Sequence, residues 1–488
     1  MRRHRVMLVL AGAAAAWWAA PMAVTAAPVA GALASVGTWG KAIEVPGLGA
    51  LNKGANLQGG ANVTSLSCGS PGNCAAGGFY RDGSGHDQGF VVSERNGTWR
   101  KAIEVPGLGA LNKSGAAQVS SVSCGSAGNC AAAGSYLDGS GREQAFLVGE
   151  RNGAWGKAIE VPGLGVLNAG GSAQANSVSC ASAGNCASGG SYTDGSFQQQ
   201  AFVVGERNGA WGKAIEVPGS GALNVGGGRP RPVAQVNSVS CASAGNCAAG
   251  GFYTDGNNLQ QPFVASERNG TWGKAIEVPG LNSFGLAQVS SVSCGSRGNC
   301  AAGGNYFNSR QGLAFVVSER NGTWRKAINV PGLPAPNPFD ESAVRSVSCG
   351  SAGNCAAGGY YTDRSHNLQA FVVNETNGTW RKAIEVPGTA ALNKGGFAQV
   401  WSVSCATAGN CAAGGVDVDG HRHGQAFVVN ETNGTWRTAI EVPGSQTLNK
   451  GGWARITSLS CRSAGKCAAG GLYTDRSHHQ QGFVASQA

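Results

Sequence analysis

Sixteen cysteines stand in eight pairs with the same internal spacing: Cys68/Cys74, Cys124/Cys130, Cys180/Cys186, Cys241/Cys247, Cys294/Cys300, Cys349/Cys355, Cys405/Cys411 and Cys461/Cys467. The first cysteines of successive pairs lie 53 to 61 residues apart, so the pairs mark an eightfold repeat. A unit of that length cannot bury its own apolar face and has to stack on its neighbours, as in propellers and solenoids. An even count at fixed spacing in an exported chain reads as disulfides, one local bridge per unit, pinning the neck of a hairpin. Zinc is a poor alternative, because structural sites want ligands about two to four residues apart and no unit supplies a third and fourth. A bridge closing so short a loop contributes roughly 2 kcal/mol.

Export is read from the first residues. Met1 to Arg5 is basic, Val6 to Ala27 is uncharged, and the small residues Val24-Thr25-Ala26 suit a cleavage site. This predicts a signal peptide over 1–26, a short linker over 27–36 and the repeat domain over 37–488. Gly12 and Pro21 interrupt the apolar stretch. No other segment approaches the roughly 20 apolar residues of a spanning helix, so no membrane span is expected after removal of the leader. The 36 basic residues exceed the 26 acidic ones but form no run or cluster. Nucleic-acid readers concentrate charge on one face, so nucleic acid is not an expected partner.

Each unit carries the chemistry of four strands. AQVSSVSC at Ala117 to Cys124 alternates apolar and polar residues, as in a strand A, and the turn CGSAGNC follows. CAAGGSY forms strand B, whose small residues let adjacent sheets approach. AFVVSER forms strand C and meets TWRKAIEVP, strand D, across Asn-Gly, a strong hairpin signal because both residues tolerate positive φ. Strand D ends in proline, which suits an edge that must not recruit another sheet. No helical periodicity occurs in the repeat region. A lone strand D, Gly37 to Pro46, precedes the first unit, and the eighth unit ends on strand C at Gln481 to Ser486. The first strand supplies what the last unit lacks. The chain is therefore expected to be an all-β, single eight-bladed β-propeller of four-stranded blades, its ring closed by the N-terminal strand.

The unit resembles the kelch repeat. Its apolar run enters a double glycine, Gly77-Gly78, and a tryptophan follows the C–D turn at Trp99 and recurs in register through Trp436. It departs from that pattern in its cysteine pair and in the aromatic directly after the glycines. The resemblance implies a propeller and says little about ligand. The copper site of galactose-oxidase-like enzymes has no counterpart here, and the SERNGTW turn is similar to the Asp-box of sialidase-like enzymes in place and ending but lacks its aspartate. No cofactor and no catalytic residues are expected.

In such a blade the D-to-A connections and B–C loops emerge on one face, and the A–B and C–D turns on the other. The second face is nearly uniform among units, whereas the first varies, as binding loops on a rigid scaffold do. Three features of the variable face are candidates. His86, His366, His421, His423, His478 and His479 all fall in B–C loops of units that are contiguous only in a closed ring; they read either as an arc able to bind a transition metal or as ordinary polar loop residues. Gln118, Gln174, Gln235, Gln288 and Gln399 open strand A and would surround the channel mouth, there to bond sugar hydroxyls or one another. Leu286, Phe397 and Trp453 share one position before strand A, with Trp401 nearby; they suit stacking on sugar rings, anchoring a partner, or filling a loop.

The expected function is a secreted, non-catalytic binding or scaffold propeller, free or associated with the cell surface. Its partner is read as a polysaccharide or cell-envelope component, or an extracellular protein. The alternatives are an extracellular carbohydrate-active enzyme, hydrolase or lyase, and a purely structural surface protein.

Overall fold

Eight phenylalanines at one position of the repeat, Phe90, Phe146, Phe202, Phe263, Phe315, Phe371, Phe427 and Phe483, are sealed from solvent. Each sits on strand C of its sheet and packs in a core shared with the adjoining sheet. The computed structural model describes residues 37–487 apart from 55–59, 228–230, 282, 309–310, 335–336 and 338–339. The expected signal peptide, 1–26, and linker, 27–36, lie outside the described residues.

In the first blade Asn62–Ser70, Asn73–Arg81, Asp87–Arg95 and Thr98–Trp99 neighbour one another in that order, all antiparallel. The plan repeats through all eight blades. The A strands form the inner ring, each packed on the next and the last on the first. At each C–D turn an asparagine and a glycine take left-handed conformations, Asn96 at φ 49° and Gly97 at φ 78°, as a two-residue hairpin requires.

All eight cysteine pairs form disulfides: Cys68–Cys74, Cys124–Cys130, Cys180–Cys186, Cys241–Cys247, Cys294–Cys300, Cys349–Cys355, Cys405–Cys411 and Cys461–Cys467. Each bridges directly opposed residues of strands A and B, such as Cys68 and Cys74. The bridges pin the neck of each A–B hairpin, as the spacing suggests, and they also reach into the core. The strand B cysteines Cys74, Cys130, Cys186, Cys247, Cys300, Cys355, Cys411 and Cys467 are only 5 to 7% exposed, and each belongs to the apolar core of its blade. Their sulfur therefore fills the core besides closing the turn. Their strand A partners are less uniform: Cys68, Cys124 and Cys461 are buried, whereas Cys180, Cys241, Cys294, Cys349 and Cys405 are partly exposed.

The ring closes as expected. Ile43–Glu44 pairs antiparallel with Gln480–Ser486, Ile43 opposite Val484, and so completes the last blade. Strand D itself differs from the sequence expectation of one continuous strand. It is broken into pieces such as Thr98–Trp99 and Ile103–Glu104, both on strand C. Between them the Ala102 amide turns away to the carbonyl of Pro46 in the preceding connection, at 2.8 Å. Six connections also contain a single helical turn, such as Leu48–Leu51 entered through left-handed Gly47. Four residues are too few to leave a periodic signal.

The double glycine has two separate causes. A Cβ on Gly77 would lie 2.7 Å from Val119 of the next blade, and one on Gly78 would meet the Asn62 carbonyl oxygen at 1.8 Å. In the second blade Ala133 replaces the first glycine, and the facing residue of the third blade is Ala175 instead of valine. The two changes conserve volume.

Blades are wired by side chains that reach one blade onward. The Ser65 hydroxyl accepts the Val122 amide at 2.9 Å and the Ser67 hydroxyl accepts the Cys124 amide at 3.0 Å. Farther out, the Ser93 hydroxyl donates to the Glu150 carboxylate at 2.7 Å and accepts the Trp155 indole N–H at 3.0 Å. The same wiring crosses the closure, from Ser486 to Glu94 and from Trp99 to Ser486. Gly205 stands where Ser93 stands, so the buried Trp272 indole N–H has no partner. A Cβ at Gly205 meets nothing within 4 Å. G205S is therefore expected to stabilise the protein by about 1 kcal/mol, through the restored bonds and the loss of glycine's chain entropy. A urea midpoint equal to or below that of wild type would contradict this.

Candidate functional site

The uniform face is tied internally. In the first blade the Gly97 amide of the C–D turn donates to Gly72 of the A–B turn at 2.8 Å, and Asn73 bonds Ser70 and the Asn96 amide. These contacts recur around the ring, which accounts for the near-identical turns.

On the variable face the first acid of the B–C loop organises that loop in seven of the eight blades, the fifth having none. Asp82 accepts the Ser84 and His86 amides at 2.8 and 3.0 Å and the Gln88 amide at 3.1 Å. Asp138, Asp363 and Asp419 do the same. The histidines ride on these loops separately. His86, His423 and His479 each face their own loop aspartate at 3.8 to 3.9 Å, and His366 meets Asp340 of the adjoining connection at 3.2 Å. His421 stacks on His423 with ring centroids 6.1 Å apart, and His478 is exposed at φ 61°. Among the described residues no three His, Cys, Asp or Glu side chains are grouped to hold a metal ion.

The glutamines are largely engaged with the wall. Gln174 donates to Glu143 at 2.8 Å, Gln235 accepts from Gln199 and donates to Asn237, and Asn237 donates in turn to Gln288 at 3.1 Å. Gln118 is exposed, and Gln399 is buried. A cleft of about 390 Å³ opens beside Gln118, with Asp87 and Glu143 among its walls. Both acids are tied down, Asp87 by Arg81 at 2.8 Å and Glu143 by Gln174.

The aromatic candidates separate into places. Leu286 is exposed on the fifth blade's connection, at φ 53°, away from the others in the ring. Phe397 and Trp453 come together, with ring centroids 6.5 Å apart. Trp453 lies over Gly424, where a Cβ would be 2.5 Å from the indole. Neighbouring blades carry larger residues at that place, such as Leu368 and Gln480, so Gly424 lets the ring lie on the backbone with part of it open to solvent.

Trp401 belongs to a different feature. A bulge in strand A sends one side chain per blade along the inner wall. In most blades this residue is short and polar. Asn176 and Asn237 bond the next blade's carbonyl at 2.8 to 2.9 Å, and Thr64 and Thr457 also reach the next blade. The sixth and seventh blades instead place Arg345 and Trp401 there, and the eighth places Arg455 at the neighbouring glutamine position. The Arg345 and Arg455 guanidinium carbons stand 5.2 and 4.8 Å from the Trp401 ring centroid. Arg345 also covers Tyr360, whose hydroxyl is turned to Glu341 at 3.5 Å. The Nε of both arginines and the Trp401 indole nitrogen are buried without hydrogen-bond partners. Burial pulls the Arg455 pKa below its ordinary value. Trp401 is thus a platform for two guanidinium groups. The sequence singles out the tryptophan and places Arg455 in the glutamine column without joining the two, and it passes over Arg345, which aligning all eight A strands exposes.

A second break lies beneath Phe397. Asp417 replaces the tyrosine that elsewhere bonds a strand D glutamate, as Tyr80 bonds Glu104 at 3.1 Å. Asp417 is fully buried and both its oxygens lack partners. Burial, with Glu441 and Asp419 nearby, pushes its pKa from 3.8 to about 7.

No family model matches the chain, and no curated protein matches it. Among solved structures, the chain is similar to Sqt1 from Chaetomium thermophilum, at 10% identity over 88% of this chain and 96% of that one, with a TM-score of 0.48. It is similar to a xyloglucanase from Xanthomonas campestris at 12% identity, TM-score 0.47, over 90% of this chain but 60% of that one, and so spans under two thirds of the enzyme's length. An ulvan lyase is similar over 83% of this chain and 96% of its own, at 8% identity and a TM-score of 0.39.

Proposed function

We propose that this protein is an extracellular, non-catalytic binding propeller, a kelch-like variant that recognises a carbohydrate or cell-envelope polymer on the variable face of blades six to eight. Eight disulfides support an oxidising location. Among the described residues no helix is long and apolar enough to cross a membrane. The observation that carries the reading is the loss of repeat symmetry in this sector, where two aromatic rings meet. Phe397, Trp401 and Trp453 depart there from positions held elsewhere by small or polar residues, and the open Trp453 ring beside Phe397 offers a sugar an apolar face. The acids of the cleft beside Gln118 are engaged by neighbours, which weighs against an acid–base pair.

The test is retention of the protein on insoluble polysaccharides and purified cell walls beside the F397A/W453A double variant. Wild type is expected to be retained, with at least about tenfold more of the variant left in solution, a difference of about 1.4 kcal/mol. Retention of neither on any polymer overturns the proposal.

A further inference from the structure

Resting on that reading, we infer that the sector binds an acidic sugar of a polysaccharide, the carboxylate of a uronic acid held by Arg345 and Arg455 beside Trp401. The other arginines of the repeat show what a satisfied guanidinium looks like in this ring. Arg95, Arg151, Arg207, Arg268 and Arg320 each lie within 4.0 Å of the next blade's buried glutamate. Among the described residues Arg345 and Arg455 take part in no such pair. They are half-buried and lie against the same indole. Each of these charges is partly stripped of water without an acid partner, which costs free energy that an anion arriving beside Trp401 offsets.

The shape of the donors selects the anion. A guanidinium presents a planar fork that matches the two oxygens of a carboxylate, and stacking on an aromatic ring fixes the plane of that fork. Trp401 gives both arginines such a surface. Neutral sugars have no group needing two cations, and the short Thr64, Asn176 and Asn237 side chains show that the wall does not require charge for its own hydrogen bonds. Trp453 and Phe397, in the same sector, supply an apolar face for another ring of the same polymer.

The experiment is calorimetric titration of the full exported chain with oligogalacturonate and with the same oligosaccharide fully methyl-esterified, which keeps the rings and removes the charge. R345Q, R455Q and R297Q are titrated in parallel; Arg297 is exposed on an A–B turn of the opposite face and controls for net charge. The acid form is expected to bind at least about tenfold more tightly than the ester. R345Q and R455Q should each lose that preference, and R297Q should keep it. Equal affinity for acid and ester, both lost in F397A/W453A, overturns the carboxylate inference and leaves polysaccharide binding standing. Tighter binding of a sulfated or phosphate-bearing polymer through the same arginines also overturns it. No binding to either oligosaccharide, with cell walls still retained, overturns it as well, whereas failure on every polymer removes the underlying reading. If an arginine variant does not fold, the acid–ester comparison on wild type decides alone.

Discussion

A chain beginning at Gly47 is expected to melt at least about 5 °C below one beginning at Ala27, and to lose amide protection first in Gln480–Ser486. The missing segment buries Trp39 and Val45 almost completely. It gives backbone bonds from Gly40 to Ser486 and from Val45 to Gly482, both at 2.9 Å, and brings Glu44 to the Tyr473 hydroxyl at 3.0 Å. Losing two large buried side chains alone costs on the order of 5 kcal/mol. It also bares the outer edge of the last strand C, a template for pairing with other chains. A synthetic peptide of residues 37–46 added in trans should recover part of the loss. An unchanged melting curve would show that the ring does not depend on this closure.

Asp417 sets the second large effect. Its carboxyl is protonated in the folded protein up to about pH 7, whereas an exposed aspartate ionises near 3.8. Between those values the folded state holds more protons than the unfolded one, so stability falls as pH rises through this window. The full difference is on the order of 4 kcal/mol. The groups facing it, Glu441 and Asp419, are acids and add to the penalty. D417Y restores the residue that other blades use and its hydroxyl bond to the strand D glutamate. It is expected to raise the melting temperature by about 3 °C at pH 7.5 and by less at pH 4.5. The pH slope will flatten without vanishing, because burial also raises the pKa of Glu94, Glu150, Glu319, Glu375 and others in that series. An equal gain at both pH values would show that Asp417 is not ionised against burial.

Much of this architecture is legible in the residues. The cysteine pairs fix the period, Asn96-Gly97 and its copies fix the hairpins, and the unmatched segment at Gly37 to Pro46 points to closure. The break in strand D is not legible, because it arises from a bond between Ala102 and a carbonyl 56 residues earlier. Nor does spacing reveal that Cys74 and its copies lie in the blade core, since burial there depends on the facing blade. The serines of strand A look like solvent-facing alternation, yet Ser65 and Ser67 accept backbone amides of the next blade. At the candidate site the sequence points to Phe397, Trp401 and Trp453 but not to which of them meet. Proximity across blades depends on bulge geometry, which places Trp401 between arginines and leaves Trp453 beside Phe397.

The serine hydroxyls and glutamates that join the blades all point the same way round the ring. Each unit therefore meets its neighbours through a standard plug on one side and a matching socket on the other, and the D-to-A connection joins in through a recurring backbone bond such as that of Ala102 to Pro46. A unit so equipped is interchangeable. Its outer loops can diverge as long as these backbone bonds are kept, and a whole blade can be transplanted to another position provided it brings its serines, its glutamate and its tryptophan. The joints at Gly149 and Gly205, where glycine stands in place of the serine, are then weakened couplings in the series, where such an exchange meets less resistance.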